Sequence, residues 1–250
     1  MMIHLSYALF LSPTTWLLLA TSFLTAIVSA TMGLGGGVIL LAVMANIFPP
    51  LALIPLHGLI QMGNNTSRAA LLRQDIKWRL CGLFALGSAI GCALGAKVFV
   101  ALPEDTLRLL LAGVILFLTW LPKPKVQLHL PGKYGWVGLL GGFMSMFIGA
   151  SGPVLGAFIQ REGFKKQEVV ATHAACMVTQ HGFKVILFGT VLGFAFQSYI
   201  GLLVGMLVAG FAGTWVGRHM LHRVSDKHFK TLFKAILTVL ALRLIYIAAV

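Results

Sequence analysis

The sequence predicts an all-α polytopic membrane protein, made of two inverted repeats that each hold a glycine-broken, re-entrant helical segment and three transmembrane helices. Three observations predict this. Of 250 residues, 58% are hydrophobic and only 10% charged, which leaves too little polar surface for a water-soluble domain. Apolar stretches of the roughly 20 residues needed to cross a hydrocarbon core recur from end to end. The chain also resembles itself at a fixed offset, and the loop charges of its two copies are opposite in pattern.

The repeat defines the units. Setting each residue against the one 116 positions later pairs Gly33 with Gly149, Gly36 with Gly152, His57 with His173, Asn64-Asn65 with Gln180-His181, and Arg68 with Lys184. Gly91 and Gly95 match Gly213 and Gly217 at an offset of 122. The first repeat covers residues 1–122, a cytoplasmic linker 123–133, and the second repeat 134–250. Each opens with a long apolar segment interrupted by glycine, about Thr14 to Ile47 and Tyr134 to Ile159. In the first repeat, spans follow at about Leu53 to Leu72, Leu80 to Val100 and Thr106 to Leu121. Their counterparts run from Val169 to Phe188, Phe196 to Gly217 and Lys230 to Ala249. Ser29-Ala30 has the look of a signal-peptide cleavage site, but no Lys or Arg precedes it, so the first segment is expected to be retained.

Charge sets the orientation. Fifteen of the nineteen basic residues fall in four short clusters, which the positive-inside rule places in the cytoplasm. Arg161, Lys165 and Lys166 follow the second broken segment, where the first has Phe48-Pro49-Pro50. Arg68, Arg73, Lys77 and Arg79 lie between two spans whose counterparts are joined by uncharged residues 189–196. Glu104 and Asp105 stand opposite Arg218, Arg223, Lys227 and Lys230. All three comparisons invert, so each unit needs an odd number of crossings. A broken segment that enters and leaves on one side supplies this count, giving three crossings per unit and external termini. The excess of basic residues therefore reflects topology, and no nucleic-acid partner is expected. Cys81, Cys92 and Cys176 lie in apolar segments without metal or redox spacing and read as small hydrophobes.

The breaks carry the chemistry. Gly33, Gly35, Gly36 and Gly37, and Ser151 and Gly152 before Pro153, interrupt apolar helices. A break frees backbone N–H groups, each costly in hydrocarbon, so it belongs beside a polar cavity. Its new half-helix begins with a positive dipole end that favours an anion. The alternative is that these glycines only let helices pack closely, a role that suits Gly91, Gly95, Gly213 and Gly217 better. His57, Gln61, Asn64, Asn65 and Arg68 share one helical face, and His173, Gln180, His181 and Lys184 the corresponding one. Asn64, Asn65, Gln180 and His181 are expected to donate to anion oxygens; hydrogen bonds that merely hold helices together are the competing role. His57 and His173 are candidates for gating or proton coupling, and Lys184 for balancing substrate charge. Arg68 is expected to snorkel to the cytoplasmic surface.

All six acids fall in loops or at helix ends, so no carboxylate is expected at mid-membrane for ion coupling. Gly149-Ala150-Ser151-Gly152 has the Gly-x-Ser-Gly form of an intramembrane serine protease, with His173 or His181 as base. Ser151 nevertheless aligns with Gly35, so the repeat keeps the break and not a nucleophile. No catalytic residues, metal site or cofactor are expected.

Met32-Gly33-Leu34-Gly35-Gly36-Gly37 and Gly149-Ala150-Ser151-Gly152-Pro153, one in each half, make the chain resemble the sulfite exporter TauE/SafE family of membrane proteins over nearly its full length. The resemblance implies export of sulfite, organosulfonates or related sulfur anions across a cell's inner membrane, with the glycine breaks touching substrate. The second half departs from the triple glycine, carrying Ser-Gly-Pro. The expected protein is a multi-pass secondary carrier of a small anion, with a passive anion channel as the alternative and a homo-oligomer as an allowed assembly.

Overall fold

The computed structural model describes residues 12–32, 35–99, 102–120, 131–148, 151–220 and 226–249. Among these the chain is all-helical, without strands. The first broken segment is α1 (Pro13–Met32) and α2 (Gly36–Ala45), followed by α3 (Pro50–Leu71), α4 (Trp78–Phe99) and α5 (Glu104–Trp120). The second is α6 (Lys133–Ile148) and α7 (Gly152–Ile159), followed by α8 (Lys166–Thr190), α9 (Ile200–Met220) and α10 (Asp226–Ala249). Both broken segments and helices at all six positions expected to span fall where hydropathy and glycine placed them. Gly33, Gly149 and most of the linker lie outside the described residues. Pro13–Thr31, Trp78–Phe99 and Phe196–Met220 are long and apolar enough to cross a membrane. Trp16, Leu86, Trp136, Leu140, Val208 and Tyr246 point outward, an apolar exterior that suits lipid.

Helix ends follow the local sequence. Ser12 caps α1 by accepting the Thr15 N–H through its hydroxyl (3.1 Å). Pro50 starts α3, where its missing N–H costs nothing. Glu168 in the first turn of α8 accepts the Lys165 N–H at 2.8 Å. Between α7 and α8, Glu162 receives Lys133 and the Tyr134 hydroxyl from the start of α6. Partial burial works to raise the Glu162 pKa, but those two donors outweigh it and hold the carboxyl below its ordinary value.

Packing comes in matched pairs. α4 lies along α6, and α9 along α1; α4 also packs on α8, as α9 does on α3; α3 meets α8, and α5 meets α10. Glycines permit the closest of these approaches. A Cβ on Gly91 would fall on the Leu139 carbonyl oxygen, and one on Gly213 on that of Phe23, while a Cβ on Gly95 or Gly217 would come to 2.8 Å from the Phe143 or Ile27 carbonyl oxygen. These four glycines thus serve helix packing, as expected. Gly91→Leu is predicted to separate α4 from α6 and to lower stability by about 1–3 kcal/mol or more, as overpacking does, measurable as a lower thermal unfolding midpoint in detergent.

The two half-helices occupy different apolar clusters. α2 buries Val38, Leu40, Leu41 and Met44 against α1, α3, α5, α9 and α10. α7 buries Leu155 and Ile159 among residues of α4, α6 and α8. Near the breaks, Gly36 presses on the Thr25 carbonyl and Ser29 hydroxyl of α1, and Ser151 lies 3.6 Å from where a Cβ on Gly141 of α6 would sit.

Candidate functional site

The beginnings of α2 and α7 face a common cavity of about 40 Å³, lined on one side by Gly35, Gly37 and Val38 and on the other by Gly152 and Pro153. The polar faces of α3 and α8 complete it, with His57, Gln61, Asn65 and Arg68 from α3 and His173, Met177 and His181 from α8; Ser29 of α1 closes one wall. Gly35 adopts φ 101°, a backbone angle that side-chain-bearing residues avoid, and so turns the chain into α2. Among the described residues the first bonded amide of α2 is that of Val38, to the Gly35 carbonyl (3.0 Å), and the Gly36 and Gly37 N–H groups stand at the helix start, ahead of the helical ladder. In α7 the corresponding bond runs from Val154 to Ser151 (3.1 Å). Pro153 has no N–H, so this break offers the Gly152 amide alone. The two helix starts are equivalent in position but unequal as donors.

Each half-helix start is tied to a stripe histidine. His57 Nε2 donates to the Gly37 carbonyl and His173 Nε2 to the Gly152 carbonyl, both at 2.9 Å. A carbonyl only accepts, so Nε2 carries the proton in both rings. Among the described residues, Nδ1 of His57, His173 and His181 has no hydrogen-bond partner. The His57 and His181 rings meet edge to face at 6.1 Å.

Two buried cations frame this arrangement. Arg68 is 3% exposed and Lys184 fully buried, and among the described residues neither the Arg68 Nε nor the Lys184 Nζ has a hydrogen-bond partner. Arg68 shares the cavity lining with His173 of the other repeat, and the Lys184 stem lies against Gly58, the residue after His57. The ion pairs among the described residues are Lys77 with Glu168, Arg108 with Glu104, and Lys133 with Glu162, and none reaches either cation. An isolated charge in a low-dielectric interior is strongly unfavourable, and a guanidinium does not shed its proton. Neither cation has a counter-charge among the described residues.

The structure sorts the residues predicted from sequence. Gly35, Gly37, Asn65, Gly152, His57, His173 and His181 line the cavity. Gly36 does not; it is spent on the contact with α1. Asn64 points instead at α9, where its side chain fills the space beside Gly210. Gln180 and Ser151 lie behind the cavity wall: the Gln180 amide donates to the Ser151 hydroxyl and, at 3.0 Å, to the Gly141 carbonyl. That contact pins the second break to α6, and the described partner of Ser151 is an amide, not a histidine. Lys184 is off the lining, its stem against Gly58. Arg68, expected at the surface, is buried and lines the cavity. Its alignment with Lys184 was the available signal, since a cation repeated at equivalent depth in both stripes is unlike a loop charge. No cluster of three or more metal-ligating side chains occurs among the described residues.

A family model described as Sulfite exporter TauE/SafE matches residues 18–244. No curated protein and no solved structure matches the chain.

Proposed function

The chain belongs to the sulfite exporter TauE/SafE family of membrane transporters, and from that premise we propose that it carries a compact sulfur oxyanion of sulfite size, held between the starts of α2 and α7. The observation that carries this reading is Arg68: a permanent, buried cation on the cavity wall, without an ion-pair partner among the described residues. The anion completes the site by accepting from Arg68, from the amides at Gly37 and Gly152, and from the His181 ring, while Asn65, whose amide donates to Gln61, shapes the wall. Gly36, Asn64, Gln180 and Ser151 hold the walls in place instead of touching it. At roughly 10–15 Å³ per water-sized centre, the cavity has room for about three or four such atoms. That favours sulfite over the longer organosulfonates.

The transport architecture belongs to the same proposal. In a straight helix Gly36 would stand roughly 16 Å beyond Thr25, and their contact supports a chain that reverses at the first break; Ser151 beside Gly141 supports the same at the second. The matched helix pairs support two inverted repeats around an axis through α3 and α8. With three crossings per repeat, the protein passes the inner membrane six times and exposes the anion alternately to either side.

Purified protein in liposomes tests the carrier reading. Vesicles preloaded with unlabelled sulfite are expected to accumulate external labelled sulfite transiently above its equilibrium level, as an exchanging carrier does. Equilibration without overshoot would assign a passive channel, and exclusion of sulfite would remove the substrate.

A further inference from the structure

The far ends of the two half-helices meet the opposite repeat in equivalent places but through different chemistry. Phe48, just beyond α2, sets its ring edge against Tyr199, the residue before α9, at 6.2 Å between centroids; Phe194 stacks on the same tyrosine at 5.8 Å. At the other break, Phe164 lies beyond α7 under the ammonium group of Lys77, the residue before α4, at 5.4 Å. Phe48 and Phe164 are 116 positions apart, and Lys77 and Tyr199 are 122 apart, the two offsets that relate the repeats. Lys77 also pairs with Glu168 at 2.5 Å, and its amide donates to the Thr172 hydroxyl at 3.0 Å.

We propose that Phe48–Tyr199 and Phe164–Lys77 are paired latches, one at each end of the central helices, that close the cavity to the two membrane faces in turn. Each latch joins a half-helix of one repeat to the second span of the other, so opening a path along that half-helix requires its latch to part. The two devices differ in kind. The Tyr199 latch is aromatic and sits in an apolar cluster with Phe194 and Phe196. The Lys77 latch is electrostatic, a cation on an aromatic face with a carboxylate beside it. A substitution at one latch therefore biases the carrier toward one face without touching the anion site. The inference rests on the carrier reading for its meaning, but its test needs no substrate.

The test uses a chain in which Cys81, Cys92 and Cys176 are replaced by alanine and a reporter cysteine is placed in the cavity wall by Ser29→Cys. A membrane-impermeant thiol reagent is applied to right-side-out and inverted vesicles in the absence of sulfite. Tyr199→Ala is expected to speed labelling from the Tyr199 face by about two- to tenfold, the equilibrium shift of one lost aromatic contact, and to slow it from the other. Lys77→Ala is expected to do the reverse, and Tyr199→Phe to restore the starting pattern. As a second arm, Phe48→Cys with Tyr199→Cys, bridged by a short bifunctional thiol reagent before the reporter is probed, should leave labelling from the Lys77 face alone. Unchanged labelling in both alanine variants, or faster labelling from both faces in each, would overturn the latches. A directional swing together with a failure to transport sulfite would keep the latches and reject the anion assignment.

Discussion

Arg68→Gln is expected to weaken sulfite binding at least about 30-fold, the lower end of what truncating one partner of a buried, hydrogen-bonded charge pair costs. The same substitution should leave the empty protein as stable as the parent, or more so. The two effects have one cause. In the empty site Arg68 is a buried cation without a carboxylate partner among the described residues, so its desolvation is uncompensated and the neutral amide relieves it. In the filled site the guanidinium supplies charge-assisted bonds that the amide replaces poorly. Thermal unfolding in detergent with and without sulfite reads both at once, because a ligand that favours the native state raises the midpoint. The parent should gain stability with sulfite and the variant should not. A variant less stable when empty, with an unchanged sulfite response, would assign Arg68 to structure alone.

The second large effect separates two neighbouring glycines. Gly37→Leu is expected to bring sulfite transport to background while the protein still inserts and remains monodisperse. Gly37 faces the cavity, and the first atom its new Cβ meets is the Gln61 Nε2, 3.0 Å away at the tip of a flexible side chain. The added bulk can therefore enter a space of only about 40 Å³ and bar the anion from the α2 amides. Gly36→Ala behaves differently, since its Cβ lands on the Thr25 carbonyl, which is backbone and cannot step aside. Overpacking of that kind costs about 1–3 kcal/mol or more. Gly36→Ala should thus lower stability, whereas Gly37→Leu should remove transport. Uptake into liposomes, with unfolding midpoints for both variants, makes the distinction.

That contrast shows how far the sequence could be read. Glycine and proline within apolar runs located both breaks, because Gly35 takes a φ of 101° that favours glycine and Pro153 suits the start of a helix. Spans followed from apolar length. The internal offset brought His57 and His173 into register, and both proved to bond the carbonyl at a half-helix start. What periodicity could not tell was which neighbour covers each part of a face. Asn64 and Asn65 are adjacent, yet the turn of one residue around α3 sends Asn64 to Gly210 and Asn65 to the cavity. Gln180 belongs to the right stripe but is drawn sideways by Ser151 and Gly141. Arg68 is near the end of its span and close to Arg73, a pattern that favours snorkelling; α8 packs over that end of α3 and keeps the side chain inside.

The central claim is that a compact oxyanion sits between the starts of α2 and α7, against Arg68. Selenite, a heavier relative of sulfite, tests it most directly through an anomalous difference map recorded at the selenium edge from crystals of the selenite complex. The account predicts one strong peak in the cavity, within hydrogen-bonding reach of the Gly37 amide and the Arg68 guanidinium, that disappears in Arg68→Gln. Selenium found only among surface lysines, or a cavity peak that survives Arg68→Gln undiminished, would contradict it.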